Sequence, residues 1–261
     1  MTVADLLGKL ESADRIWDRE PVFCFTSDID WASETVLARC LPELCSENLK
    51  LTVFVTNESR VINELKDAGR LERGIHPNFL AGSSHGDGFR TVIETCRKFA
   101  PEAEAFRSHR LFDVTDVTHL LHDEYKFKYV SNLGTVMQPR LGPVLHESGL
   151  VHFPIFFEDG THLFHGLSLR LTDYLPRFLS PGIKVISVHP ADYVINTPKI
   201  SYMRGIKDSM SREAYQQMSA ADIEKYEHRG LGIRSLVKEI IALARSHRVM
   251  SLSELYRTAI S

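Results

Sequence analysis

The sequence predicts an α/β protein made of repeated βα units around a mainly parallel sheet. Short runs rich in β-branched and aromatic residues recur along the chain, and stretches with helical periodicity separate them. Two of the apolar runs, Phe25-Thr26-Ser27-Asp28-Ile29-Asp30 and Val185-Ile186-Ser187-Val188-His189, read as buried strands that deliver polar groups at their C-terminal tips. In order, strands are expected at 21–27, 51–56, 73–76, 105–108, 128–132, 151–156 and 183–189, about seven in all. Helices are expected between them at 32–45, 58–68, 89–99, 114–122 and 167–178. Residues 202–229 are polar and charged with few large apolar side chains, which predicts an excursion over the surface. Gly230-Leu231-Gly232 punctuates its end. Leu236, Ile240, Ile241 and Leu243 then fall at near-helical spacing within 233–247, and 251–258 reads as a last short helix. This order favours one α/β domain over 1–261.

Bulk composition excludes several classes. A chain of 261 residues with 43% hydrophobic content can bury a substantial core and is not disordered. With 31 basic and 34 acidic residues and a net charge of -3, it has no polycationic tract and no aromatic array suited to nucleic acid. Cys24, Cys40, Cys45 and Cys96 form no CxxC pair and are expected to be reduced thiols. The N-terminal stretch has acidic Asp5 inside its only apolar run, and no segment approaches membrane-spanning length. A soluble, cytoplasmic protein is expected.

In parallel α/β sheets, catalytic groups gather at the C-terminal ends of strands, where loops vary over a rigid core. Five segments place polar groups there: Asp28 with Asp30, His76, Arg107 with Ser108 and His109, Glu158 with Asp159, and His189. If the first strand stays extended to its tip, Asp28 and Asp30 project to one face, where one can hold a metal while the other accepts a proton. The plainer alternative is that both aspartates cap the helix that follows, which Ser33-Glu34 could equally start.

The ordered set Phe25-Thr26-Ser27-Asp28-Ile29-Asp30, Arg73-Gly74-Ile75-His76-Pro77-Asn78, Phe106-Arg107-Ser108-His109 and Val185-Ile186-Ser187-Val188-His189 resembles the polysaccharide deacetylase superfamily (NodB homology, carbohydrate esterase 4). The closing segment from Ser246 to Leu255 is similar too. Gly74-Ile75-His76-Pro77-Asn78-Phe79, followed by Gly82-Ser83-Ser84-His85-Gly86, resembles the WbmS-like subgroup associated with O-antigen gene clusters. The resemblance covers about residues 20 to 258, and the order of its short motifs is the specific part. It implies a distorted (β/α) barrel of about seven parallel strands, a divalent metal held by one Asp and two His, and removal of an N-acetyl group from an amino sugar.

Carried over residue by residue, Asp28 corresponds to the catalytic base and Asp30 to the metal-binding aspartate, here spaced Asp-x-Asp rather than adjacent. His76 corresponds to the first metal histidine. The usual second histidine lies four positions on, but Leu80 stands there. His85 is the expected replacement, because glycines at 82, 86 and 88 let its loop fold back over the site. His109 is the alternative. Arg107 corresponds to the arginine that orients the base, and His189 to the histidine that protonates the leaving amine. The segment around Phe156, Phe157, Glu158 and Asp159 matches a motif of the pocket wall. The phenylalanines are expected against the acetyl group or sugar face, or in the strand core, with Glu158 or Asp159 hydrogen-bonded to His189. Mixed nitrogen and oxygen donors point to zinc. Two other readings fit these residues: hydrolysis of another amide or ester, and a non-catalytic carbohydrate-binding protein on the same fold.

Overall fold

The computed structural model describes residues 2–11, 14–46 and 49–261. Its strands are β1 (Pro21–Asp28), β2 (Leu51–Val55), β3 (Leu71–Ile75), β4 (Ala105–Phe106), β5 (Tyr129–Val130), β6 (Val144–Leu145), β7 (Val151–His152), β8 (Ile155–Glu158), β9 (Gly182–Val188) and β10 (Arg248–Val249). They form one sheet in the order β6-β7-β5-β4-β3-β2-β1-β9-β8, with β10 attached to β1. Among the described residues every pairing is parallel except β6 with β7.

The sheet curls, and residues 151–158 explain how. Their first half pairs with β5 and their second half with β9, so one run of chain joins the two ends. Pro154, which has no N–H to donate, divides the run. Phe153 N–H donates to Val130 O at 2.8 Å and Ile155 N–H to Leu133 O at 2.8 Å on either side of it. Counting β7 and β8 as one interrupted strand leaves seven around the curl, with β6 and β10 as short additions. This is the expected distorted barrel. All eight residues of β1 and all seven of β9 are buried, as helices on the outer face require.

The helices at Glu34–Leu44, Arg60–Asp67, Phe89–Phe99, Ile233–Ala244 and Leu252–Ala259 lie where periodicity puts them. Thr115–His119 continues into a wider turn at Leu120–Glu124. The helix expected over 167–178 is instead a short turn at Leu171–Asp173 and a helix at Leu175–Leu179. The ring of Pro176 fits only the first turn of a helix, so Leu175–Leu179 is a new start.

The segment expected as a polar excursion folds into helices Ile200–Asp208, Arg212–Gln216 and Ala220–Tyr226. It buries Met203, Ile206, Met218 and Ile223 against the body, and Met218 O accepts a hydrogen bond from Ser33 Oγ at 2.7 Å. Four apolar side chains on separate turns are enough to fix it over the C-terminal ends of the strands.

Candidate active site

The chain leaves β1 in a turn, not an extended strand. Ala32 N–H closes it onto Ile29 O at 2.7 Å, and Asp30 and Trp31 between them sit at φ +43° and +56°, as both central residues of a type I′ turn do. Two successive non-glycine residues at positive φ are costly, and such strain persists where surrounding structure enforces it. Here Trp31 N–H donates to Thr56 Oγ1 at 3.1 Å. The turn, not the strand alternation, therefore brings Asp30 over the same end as Asp28. Neither aspartate caps the next helix, because Ser33 Oγ does so by accepting from Val36 N–H.

Asp30 meets two histidines from neighbouring strand ends. Its Oδ1 lies 3.0 Å from His109 Nδ1 and 3.2 Å from His76 Nε2, and the two nitrogens are 3.3 Å apart. His76 directly follows β3, and the pairing of Ile75 with Phe106 sets β4 beside it. His109 is fixed by its backbone N–H, which donates to Pro77 O at 2.9 Å. Burial pushes the Asp30 carboxyl up, but hydrogen bonds from His109 and His76 and the charge of His189 outweigh it and hold Asp30 well below the usual carboxylate range. It stays ionised.

These atoms fit a divalent metal. Tetrahedral coordination at about 2.0–2.1 Å puts neighbouring donors about 3.3 Å apart, close to the three separations observed. Asp30, His76 and His109 are the one group of this kind among the described residues.

His85 does not join them, which corrects the sequence expectation. It is buried, its Nε2–H donates to Thr56 O at 2.8 Å, and its Nδ1 accepts from Asn78 N–H at 3.1 Å. Cys96 Sγ lies 3.3 Å from the same Nδ1. Burial lowers its pKa, so the ring is a neutral brace between the β2 end and the loop. His109, the alternative, occupies the third position.

Asp28 is held from behind by Arg107. The guanidinium is fully buried, with Nη1 at 2.9 Å from Asp28 Oδ1, 3.0 Å from Thr26 Oγ1 and 2.8 Å from Ser187 Oγ. Nε donates to Ser131 O at 2.7 Å and Nη2 to Ser131 Oγ at 2.8 Å. Its Cζ lies 4.6 Å from the centre of the Phe54 ring. Gly74 makes room for that ring, since a Cβ there would come within 2.6 Å of it. A buried pair is sensitive to loss of one partner. Replacing Arg107 by Met leaves Asp28 uncompensated, and urea unfolding should show a loss of about 3–5 kcal/mol.

His189 follows β9, and Asp159 fixes it twice. Asp159 Oδ2 accepts from the His189 backbone N–H and Oδ1 from Nδ1–H, each at 2.6 Å. Nε2 is left facing the site, 3.8 Å from Asp30 Oδ2. Burial lowers the His189 pKa, but the carboxylates of Asp159, Asp30 and Asp28 outweigh it and raise it well above the ordinary histidine value.

The other expected wall residues lie elsewhere. Phe156 and Phe157 are buried and pack on Phe178, with ring centres 5.0 and 6.3 Å away, so they are core and not a sugar platform. Glu158 accepts from Thr161 Oγ1 at the start of its own helix. Asp159 is fully buried and reaches the site only through its two bonds to His189. Above the cluster opens a cleft of about 450 Å³ lined by Asp30, Trp31, His109, Arg110, Lys207, Arg212 and Tyr215 among others. Its far wall comes from the 200–226 helices, which no motif marks. Tyr215 faces it, whereas Tyr202 donates its hydroxyl to Tyr226 O.

No curated protein matches the chain significantly. Among solved structures, the chain is similar to WbmS of Bordetella bronchiseptica, assigned as a polysaccharide deacetylase involved in O-antigen biosynthesis. The match has a TM-score of 0.73 and 24% identity, and it covers 85% of this chain and 90% of that one. No helix among the described residues is long and apolar enough to cross a membrane. Residues 25–207, more than half the sequence and inclusive of Asp28, Asp30, His76, Arg107, His109 and His189, match the model of one family: the chain belongs to the WbmS-like polysaccharide deacetylases.

Proposed function

We propose that the chain is a metal-dependent amide hydrolase that removes an N-acetyl group from an amino sugar of an O-antigen precursor in the cytoplasm. The observation that carries this reading is the Asp30, His76 and His109 triangle, flanked by an oriented carboxylate on one side and an oriented imidazole on the other. Family membership and the assignment of the Bordetella protein support the substrate class.

Asp30, His76 and His109 would hold the ion, and zinc suits their mixed oxygen and nitrogen donors. When bound, such an ion polarises an acyl oxygen and acidifies water. The protein supplies the proton transfers. Asp28 accepts the proton of the water that attacks the acetyl carbonyl, and Arg107 fixes its aim. His189 Nε2 donates a proton to the departing amine, because Asp159 holds the Nδ1 side and keeps the ring charged. Acetate and a free amino sugar result.

The test is acetate release from a panel of N-acetylated hexosamines, with other acyl amides and esters alongside, before and after zinc loading. Zinc-dependent acetate release supports the reading. Stoichiometric zinc with no hydrolysis of any acyl compound overturns it in favour of carbohydrate binding.

The role of His189 also makes a pH prediction. A general acid must be protonated, so the rate falls as pH rises through the His189 pKa. Asp159 raises that pKa. In Asp159→Asn the alkaline fall of kcat should therefore move to lower pH, while the acidic limb keeps its position. An alkaline limb that stays in place would remove His189 from the role.

A further inference from the structure

The cleft above the metal cluster has a charge that composition does not predict. The chain carries -3 overall, yet Arg110, Lys207 and Arg212 all line this one opening. All three are exposed, and among the described residues none has a carboxylate in ion-pair range. Asp30 is the one acid lining the cleft, and it is engaged by His76 and His109.

Two of these cations are laid along aromatic rings. Arg212 Cζ lies 5.6 Å from the centre of Trp31, and Lys207 Nζ lies 5.1 Å from the centre of Tyr215. Such contacts orient a cation without neutralising it. Trp31 is itself 5.2 Å from the His109 ring, so the guanidinium stands one indole away from the metal cluster. We propose that this cationic lip binds a phosphate or diphosphate ester, so that the acetamido sugar arrives as a glycosyl phosphate and not as part of a neutral polymer. The inference rests on the deacetylase reading above. In a 2-acetamido sugar the acyl group and the anomeric oxygen are on adjacent carbons, so an acetyl group at the cluster leaves an anomeric phosphate beside Trp31 and Arg212. One carboxylate would occupy one cation. Three unpaired charges, two of them guanidinium forks, match the two or three negative charges of a diphosphate.

The test uses the full chain and the triple variant Arg110→Gln, Lys207→Gln, Arg212→Gln, whose exposed positions leave the core intact. Calorimetric titration with UDP and with pyrophosphate, in zinc-loaded and zinc-free protein, should show affinity falling about 100-fold in the triple variant in both states. Absence of binding, equal affinity in the variant, or binding that needs zinc would each overturn the proposal. Acetate release from UDP-linked, polyprenyl-diphosphate-linked and free N-acetylhexosamine then separates the sources. Preference for the first identifies a nucleotide carrier, and preference for the second a lipid carrier. In either case KM should rise in the triple variant. Equal kcat/KM on the free sugar overturns the proposal. If no sugar releases acetate, the deacetylase reading falls, while the titrations still decide whether the lip binds phosphate.

Discussion

Asp28→Asn should lose turnover by about 10²–10⁴-fold while binding zinc as the wild type does. The first half follows from the chemistry. A neutral amide has no basicity to accept the proton of the attacking water, whereas its oxygen can still receive the hydrogen bond that Arg107 Nη1 gives at 2.9 Å. The second half follows from the geometry, because Asp28 is not among the three atoms that converge on the metal position. Zinc content and near-ultraviolet circular dichroism, measured on the variant, separate loss of the base from loss of the fold. That control matters because removing the charge of Asp28 leaves a buried guanidinium without its counter-ion. Wild-type kcat in a variant that is folded and metal-loaded would remove Asp28 from the role of base. If activity and zinc disappeared together, Asp28 would belong to the metal site.

Much of this centre was legible because parallel strands covered on both faces are written as apolar runs, and such runs show where they stop. Asp28, His76, Arg107 and His189 each stand at or just beyond such a stop, and the structure gathers all four at one end of the curled sheet. Asp30 was legible for the wrong reason. Alternation along a strand suggested it, but a turn with two residues at positive φ puts it there, and nothing in Asp-Ile-Asp-Trp announces that turn.

The choice between His85 and His109 was decided by contacts that no local pattern contains. His85 has the glycine-rich loop, yet Thr56 O and Asn78 N–H take both of its ring nitrogens. The pairing of β3 with β4 instead sets His109 beside His76, as consecutive strands of βα units tend to be neighbours. Phe156 and Phe157 illustrate a different limit. In a strand covered on both faces, sequence does not distinguish a residue packed on a helix from one lining a cleft. The cationic wall was hidden because Lys207 and Arg212 lie far along the chain from the Asp30 and Trp31 turn they face, and the burial of Met203, Ile206, Met218 and Ile223 brings them there.

Metal content should separate the two histidines sharply. Wild-type protein loaded with zinc and dialysed is expected to retain about one ion per chain, and His109→Ala to retain almost none, since a site with only Asp30 and His76 lacks the three protein donors of a catalytic zinc. His85→Ala is expected to keep its zinc and to lose stability instead. Its ring satisfies one buried carbonyl and one buried N–H, and leaving such groups unpaired costs about 1–3 kcal/mol each. Mass spectrometry of bound metal together with urea unfolding therefore predicts opposite patterns for the two variants: one metal-poor and stable, the other metal-bound and weakened. The reverse pattern would return the second histidine to the loop and leave His109 as a hydrogen-bond partner of Asp30 with no metal role. Retention of zinc by both would break the triangle itself, because Asp30 and His76 would then have to find their third donor outside the described cluster. In the first pattern the ring of His85 holds the 76–88 loop, while the backbone bond from His109 to Pro77 positions the third donor.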